Sequence, residues 1–283
     1  MLEGTPSTTA YRVAQRRAAH QLLDRPLVFD DPLAVRIAGL DDPARRDARA
    51  FDSGRLSKAL RAFFAARSRF AEDQLGAAID RGVDQYVVLG AGLDTFAYRN
   101  PYEILQVFEV DFPATQAWKR TELARAGIAI PPALTFVPAD FEQISLSGAL
   151  ASSGFDGSKP AWFSWLGVTM YLARETVMQT LAFVAGLPPG SGLVFDYGVD
   201  PEKLRPMERY FLDRFAERVA AAGEPWVTGF DPVILSEDLR RLGFTSLEDL
   251  GQNEINARYF SGRGDGLSVG SLGRIVSAGR VGG

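Results

Sequence analysis

Three acidic residues each close an apolar segment of the chain, and their spacing is the feature best suited to chemistry. The segment VVLGAGLDT runs from an apolar stretch into Gly90 and Gly92, and Asp94 follows two positions later. Asp111 ends EILQVFEVD, and Asp140 ends LTFVPAD. Glycine lets a backbone approach a ligand closely, and an acid about twenty residues beyond such a turn binds ribose hydroxyls in doubly wound folds. The pattern predicts a site for a cofactor that contains a nucleoside.

The second half of the glycine turn distinguishes between such cofactors. A dinucleotide fingerprint has a third small residue after the two glycines and binds pyrophosphate at a helix N-terminus. Asp94 and Thr95 stand there instead, and a carboxylate would repel pyrophosphate but suit a positively charged ligand. Asp140 can accept from an adenine amino group while Phe141 covers the ring. Ribose, adenine, no phosphate and a positive charge together indicate S-adenosylmethionine.

The same residues also have a purely structural interpretation. A Gly-x-Gly turn after a strand is often only a tight connection, and Asp111 or Asp140 could cap the helix that follows it. Three such features at the ends of three successive strands favour the cofactor site.

Histidine and cysteine are too scarce for several other kinds of site. The 283-residue chain contains one histidine, His20, and no cysteine. It therefore offers no disulfide framework, thiolate zinc site or cysteine nucleophile, and we expect no metal site. His20 is interpreted as a surface or packing residue. If the reaction needs a general base, the candidates are Tyr171, Asp196 and His20.

Composition and charge favour an ordinary soluble globular protein. Hydrophobic residues make up 46% of the chain and charged residues 23%, and the formal net charge is −4. This balance argues against a nucleic-acid partner. No apolar run approaches the ~18 residues that span a bilayer, and the N-terminus lacks the apolar core of a signal peptide. We expect a cytoplasmic protein with no membrane partner, and the sequence leaves monomer and dimer open.

Strand-like runs that alternate with helical patterns predict an α/β fold with a largely parallel sheet covered on both faces. We expect residues 1–82 to form a helical N-terminal region packed on the core, over the carboxyl edge of the sheet. Residues 83–283 would form the cofactor-binding core, with a lid at 198–232. The predicted strands are 84–90, 103–111, 134–140, 161–166, 191–197 and 272–278, with a further element at FTSLEDL. The predicted helices begin near Ala10 and also cover 56–82, 113–127, 174–186, 201–223 and 236–243. FDDPLA, residues 29–34, is predicted to be a turn that leads into a short helix.

Several motifs resemble the leucine carboxyl methyltransferase family, which includes many bacterial small-molecule O-methyltransferases. They are LGAGLDT, FEVDFP and GVTMYL, and the resemblance extends from STTA through VFDDPLA to FDY. It implies a class I methyltransferase fold with seven strands and a helical lid, using S-adenosylmethionine.

The resemblance also implies roles for particular residues. Arg67 in FFAARSRF would bind the cofactor carboxylate, although Arg69 competes for that role. The family often has a glutamate where this chain has Leu166, so the cofactor ammonium would be held by Asp94 or by a backbone carbonyl. The remaining cofactor-binding residues would be Gly90, Ala91 and Gly92 in the turn, Asp111 and Phe112 at the ribose, and Asp140 and Phe141 at the adenine.

Methyl transfer from a sulfonium is an in-line displacement, so the protein mainly aligns the reactants. A carboxylate acceptor is already ionised and needs no base, whereas a hydroxyl acceptor would be helped by one. Tyr171 would lie beside the transferring methyl group. We expect the acceptor to be a hydrophobic small-molecule acid or phenol. The alternatives are a protein C-terminal carboxyl methyltransferase, a NAD(P)-dependent oxidoreductase and a non-catalytic module that keeps the cofactor.

Overall fold

A seven-stranded sheet forms the centre of the computed structural model, which describes residues 8–46, 51, 54–140, 145–220 and 225–280. The strand order is β3-β2-β1-β4-β5-β7-β6, and β7 is antiparallel to both of its neighbours. The strands are β1 Gln85–Leu89, β2 Gln106–Asp111, β3 Leu134–Pro138, β4 Trp162–Trp165, β5 Gly192–Gly198, β6 Ser246–Leu250 and β7 Gly273–Gly279.

Helices connect these strands and cover both faces of the sheet, as the sequence predicted. They are α1 Thr8–Leu23, α2 Ala34–Ile37, α3 Arg55–Ile79, α4 Pro113–Arg125, α5 Leu146–Ala151, α6 Arg174–Ala185, α7 Pro206–Ala220, α8 Pro232–Leu242 and α9 Gln252–Tyr259. Within the described residues, no helix has the length and apolarity needed to cross a bilayer.

Proline accounts for one difference from the predicted elements. The single helix predicted over 201–223 is instead a 3-10 turn, Pro201–Lys203, followed by α7, and its last three positions, 221–223, lie outside the described residues. Pro206 has no amide hydrogen to donate and disfavours helical geometry at the residue before it, so a helix starts at this proline rather than passing through it. The short helix predicted after FDDPLA is α2, whereas the sequence analysis missed α5 and α9, which are both short.

Alternating side chains of β1 pack into different halves of the core. Val87 and Leu89 belong to a cluster with residues of α5, α6 and α8. Tyr86 and Val88 belong to a second cluster, which contains Phe70 and other buried residues of α3. Helix α3 therefore covers one face of the sheet and shares its core.

Helix α1 lies over the carboxyl edge of the sheet. The methyl group of Ala10 is 3.1 Å from the place where a Cβ on Gly92 would lie. Arg17 donates to the carbonyl oxygen of Leu93 at 3.4 Å. The N-terminal helix thus packs directly on the turn that follows β1.

A buried network of charges fastens α1 and α3 to this turn. Asp31 is fully buried and accepts hydrogen bonds from Arg17 and from Thr95 Oγ1, the latter at 2.8 Å. Arg99 Nε lies 3.6 Å from Asp31, and its Nη1 donates to Glu72 of α3 at 2.8 Å. We call these five residues the Asp31 cluster. It joins α1, the segment after α1, α3 and the β1–β2 connection.

We predict that Asp31→Asn lowers the free energy of unfolding by about 3–5 kcal/mol, because Arg17 is left buried against a neutral amide. Urea denaturation of the purified protein measures this change. Arg69→Gln is the matched control, since Arg69 is an exposed residue of α3 paired with Asp73, and it should change the midpoint little. Equal stability of Asp31→Asn and the wild type would contradict this role for the cluster.

The same carboxylate should contribute to the pH dependence of stability. Burial opposes its ionisation, but Arg17, Arg99 and Thr95 outweigh burial and lower the pKa of Asp31. Its contribution is therefore complete above the unfolded pKa of about 4 and is lost as pH falls through the lower folded value. Below about pH 4, the free energy of unfolding should fall more steeply with decreasing pH in the wild type than in Asp31→Asn.

Candidate active site

The turn after β1 requires glycine at two positions. Gly90 has a φ of +66° and Gly92 a φ of +43°, a backbone region that other residues seldom adopt. A Cβ on Gly90 would also lie only 2.4 Å from Cγ2 of Val168. The amides of Gly90 and Ala91 both donate to Val110 O, at 2.8 and 3.2 Å, which fixes the turn against the end of β2.

Asp111 completes this turn from the neighbouring strand. Its Oδ2 accepts from the amide of Gly92 at 2.6 Å, and its Oδ1 accepts from the amide of Phe112 at 2.7 Å. The N-cap of α4 is Phe112, so Asp111 does not cap that helix. A carboxylate offers about four acceptor positions, and two amides leave room for ribose hydroxyls. Burial raises the pKa of Asp111, while the two amide bonds oppose that rise.

Asp94 is more exposed and is only partly neutralised. Its Oδ1 accepts from the amide of Phe96 at 2.8 Å, and its Oδ2 lies 3.8 Å from Arg17 Nη1. The Asp94 side chain is 25% exposed. Asp94 therefore places negative charge beside the glycine turn, where a cationic ligand group would meet it.

Asp140 lies two residues beyond the end of β3 and is half-buried. The amide of Ala139 donates to Asp111 O at 2.9 Å, which brings this segment to the end of β2. Asp140 does not cap the next helix, since Ser145 Oγ accepts from Gly148 N at the start of α5. Phe141 lies outside the described residues.

The structure separates the two candidate arginines of α3. Arg67 is buried, and its Nη1 donates to Asp196 Oδ2 at 2.7 Å. Asp196 also accepts from the amide of Gly167, just beyond β4, so Arg67 sits where β4 and β5 end. Arg69 is about half exposed and pairs with Asp73 at 2.7 Å on the solvent side of the helix. Of the two arginines, only Arg67 lies at the edge of the sheet that carries the glycine turn.

Two of the three candidate bases are already engaged in structural bonds. Asp196 is 1% exposed and is held by Arg67 and Gly167. His20 Nε2 accepts from the amide of Val28 at 3.2 Å, so its Nδ1 carries the proton that faces Asp24 at 2.9 Å. The packing interpretation of His20 is confirmed.

Tyr171 ends a 3-10 turn, Thr169–Tyr171, that follows β4. The segment before α8 is bonded to this turn: Val227 N donates to Met170 O at 2.8 Å, and Thr228 Oγ1 donates to Leu172 O at 2.6 Å. Part of the predicted lid therefore contacts the turn that carries Tyr171. Leu166 is half-buried and packs against the core cluster on the α3 side of the sheet.

Sequence reasoning missed the Asp31 cluster and one further buried pair. Glu109 of β2 and Lys119 of α4 are both 1% exposed and lie 2.7 Å apart. Burial raises the pKa of Glu109 to about 7, although Lys119 opposes the rise. A glutamate inside the apolar run VFEV was the available signal for this pair. For the Asp31 cluster it was the FDDPLA motif, which was interpreted as a turn that leads into a short helix and not as a source of a buried carboxylate.

Among the described residues, no group of three or more histidine, cysteine, aspartate or glutamate side chains could hold a metal ion. The residues at the carboxyl edge do fit S-adenosylmethionine. The turn presents backbone without side chains, Asp111 and Asp94 offer acceptors, and Arg67 offers a guanidinium group.

The fold is that of a class I methyltransferase. Its defining features are the strand order, the antiparallel β7, and the glycine turn with its acid at the end of β2. A solved structure titled as that of a "putative methyltransferase" from Thermobifida fusca shares this fold with a TM-score of 0.58. The two chains are 19% identical, and the match covers 99% of this chain and 97% of that one.

The family pattern of leucine carboxyl methyltransferases matches residues 10–185, and the chain belongs to this family. It is 32% identical to Bacillus subtilis YktD, named a "Putative S-adenosyl-L-methionine-dependent methyltransferase", over 95% of this chain and 96% of that protein. A Mycobacterium sp. (strain KMS) protein of the same name is also 32% identical, over 88% and 91% of the two chains. The chain is thus an S-adenosylmethionine-dependent methyltransferase, which excludes the oxidoreductase alternative.

We predict that Gly90→Ala weakens S-adenosylhomocysteine binding by at least roughly tenfold, because a methyl group at a positive φ displaces the turn. Calorimetric titration measures the affinity. Gly82→Ala is the matched control: Gly82 also has a positive φ, +94°, but a Cβ there would meet nothing within 4 Å. It should lower stability and leave affinity unchanged. Equal affinity losses in the two variants would show that the effect is not local to the turn.

Proposed function

We propose that the protein methylates an oxygen atom of a small apolar acid, with the cofactor held at the carboxyl edge of β1, β2 and β4. The observation that carries the proposal is the convergence there of the glycine turn, the Asp111 carboxylate bound to Gly92 N at 2.6 Å, and the buried Arg67. When bound, S-adenosylmethionine supplies an electrophilic methyl group on a positively charged sulfur.

Each part of the cofactor would have a partner in the chain. Asp111 would accept from the ribose hydroxyls and Asp140 from the adenine amino group, with Phe112 and Phe141 alongside. Arg67 would bind the carboxylate, because a guanidinium group has five donors and its bond to Asp196 uses only one nitrogen. Asp94 is the acid that could meet the cofactor ammonium, since Leu166 is apolar.

The reaction would depend mainly on alignment. Positioning of two reactants can supply up to about 7–11 kcal/mol of a barrier. An ionised carboxylate acceptor needs no proton removed, which agrees with Asp196 and His20 being committed to structural bonds. Tyr171 would contact the acceptor beside the transferring methyl group.

The lid at 198–232 would cover the acceptor. Phe230 and the neighbouring Tyr197 are buried in the core, which anchors this segment. Met207 and Tyr210 of α7 are 65% and 59% exposed, so this helix presents large hydrophobic side chains at its surface. This supports an acceptor with an apolar body. We propose that residues 1–82, through α1, complete the enclosure from the side of the glycine turn.

We predict that Arg67→Lys weakens binding of S-adenosylhomocysteine by about tenfold but leaves binding of 5′-methylthioadenosine unchanged. The second ligand lacks the amino-acid carboxylate that the guanidinium group would bind in a bidentate manner. Arg69→Gln should alter neither affinity. If Arg67→Lys weakens both ligands equally, Arg67 supports the fold of the site through Asp196 and does not bind the carboxylate.

We predict that kcat/KM for an aliphatic carboxylic acid is nearly constant between about pH 6 and 9, because the acceptor is ionised throughout that range. Initial rates of methyl ester formation, with acids of increasing chain length, test both the reaction and the apolar body of the acceptor. Phenols of similar size serve as the comparison.

Three results would count against this proposal. A rate that rises with pH and is found only with phenols would indicate hydroxyl methylation with a general base. Methylation of polar acids alone would exclude the apolar acceptor. Activity only on C-terminal peptides would identify a protein methyltransferase.

A further inference from the structure

A cavity of about 560 Å³ lies between the beginning of α3 and the loop that leads into β7. Its lining includes Arg55, Lys58, Gln252 and Ser268. The loop is held in place by side-chain amides: Gln252 Nε2 and Asn256 Nδ2 both donate to Val269 O at 3.2 Å. The cavity therefore has a fixed wall on one side and two basic side chains on the other.

The two positive charges that line this cavity are not neutralised by a carboxylate of the described residues. Neither Arg55 nor Lys58 forms an ion pair with a described carboxylate, and the lining contains no acidic residue. Nearby arginines differ, since Arg258 pairs with Glu248 and Arg263 pairs with Asp265 at 2.5 Å. Residues three apart on a helix lie on the same face, so the exposed Arg55 and the half-buried Lys58 place two positive charges along the same wall of the cavity. In a chain of net charge −4, this is a local excess of positive charge.

The cavity lies on the side of the sheet where the cofactor residues converge. Gly273 begins β7 and pairs with Gly198 at the end of β5, and the ring of Phe63 packs on Gly273. Toward its N-terminus, α3 continues beyond this edge to Lys58 and Arg55. Arg67 is twelve residues from Arg55 on the same helix, a separation of about 18 Å at 1.5 Å per residue.

We propose that this cavity binds an anionic group at the far end of the methyl acceptor. The acceptor would be an elongated molecule with an apolar middle, one carboxylate at the transferring methyl group and a second carboxylate or a phosphate between Arg55 and Lys58. A guanidinium and an ammonium group bind either anion. This inference rests on the proposed O-methylation and specifies its substrate class.

The test uses the full-length protein saturated with S-adenosylhomocysteine, whose own binding is first measured by calorimetry. The probes are α,ω-dicarboxylates from adipate to hexadecanedioate, the monocarboxylates of equal length, and phosphonoalkanoates of the same lengths. We expect at least one diacid or phosphonoalkanoate to bind about tenfold more tightly than its monoacid in the wild type. The doubly charged probe that binds best distinguishes carboxylate from phosphate recognition.

Two double variants locate the binding site. Arg55→Gln/Lys58→Gln should reduce the affinity of that probe to the level of the monoacid. The control Arg81→Gln/Lys159→Gln removes the same charge next to β1 and β4 at the opposite edge of the sheet, and it should leave the difference intact. Equal affinities for diacid and monoacid in the wild type, no binding of either, or equal losses in both variants would overturn the inference. Failure to bind S-adenosylhomocysteine would instead contradict the proposed function.

Discussion

The hydrogen bond from Gly92 N to Asp111 Oδ2 is the interaction on which the rest of the candidate site depends. It joins the turn after β1 to the end of β2, and it holds the turn in a backbone conformation that glycine tolerates. Because Gly90 and Gly92 have no side chains, Val168 and Ala10 pack directly on the turn, and we propose that the ligand contacts the rest of its backbone. The carboxylate that shapes the turn is also the one proposed to bind ribose, so shape and recognition are coupled.

Two buried ionic arrangements hold the surrounding helices at this edge. The Asp31 cluster ties α1 and α3 to Thr95 and Arg99, directly after the turn. The Arg67–Asp196 pair ties α3 to the ends of β4 and β5. Removing such charges from water has a high energetic cost. In both arrangements this cost is offset by ion pairs and hydrogen bonds between several elements. The helices are thereby fixed in position relative to the turn.

The sequence predicted the architecture because apolar periodicity and glycine or proline positions determine local structure. It also singled out Asp111, and the structure excludes the alternative that this residue caps α4, because Asp111 instead accepts from Gly92 N. It could not show that Asp196 is the partner of Arg67, because the two residues come together only when α3 packs on β5. The Asp31 cluster was missed for the same reason: its members are spread from Arg17 to Arg99. The preference for Arg67 over Arg69 came from the family resemblance, and burial on α3 agrees with it.

A crystal structure of the protein with S-adenosylhomocysteine tests the central claim most directly. The account predicts that the ribose hydroxyls lie within hydrogen-bond distance of Asp111, that the backbone of Gly90–Gly92 contacts the ligand, and that the amino-acid carboxylate is bound by Arg67. A ligand whose ribose is held elsewhere, or whose carboxylate does not contact Arg67 while that residue remains paired with Asp196 alone, would contradict it.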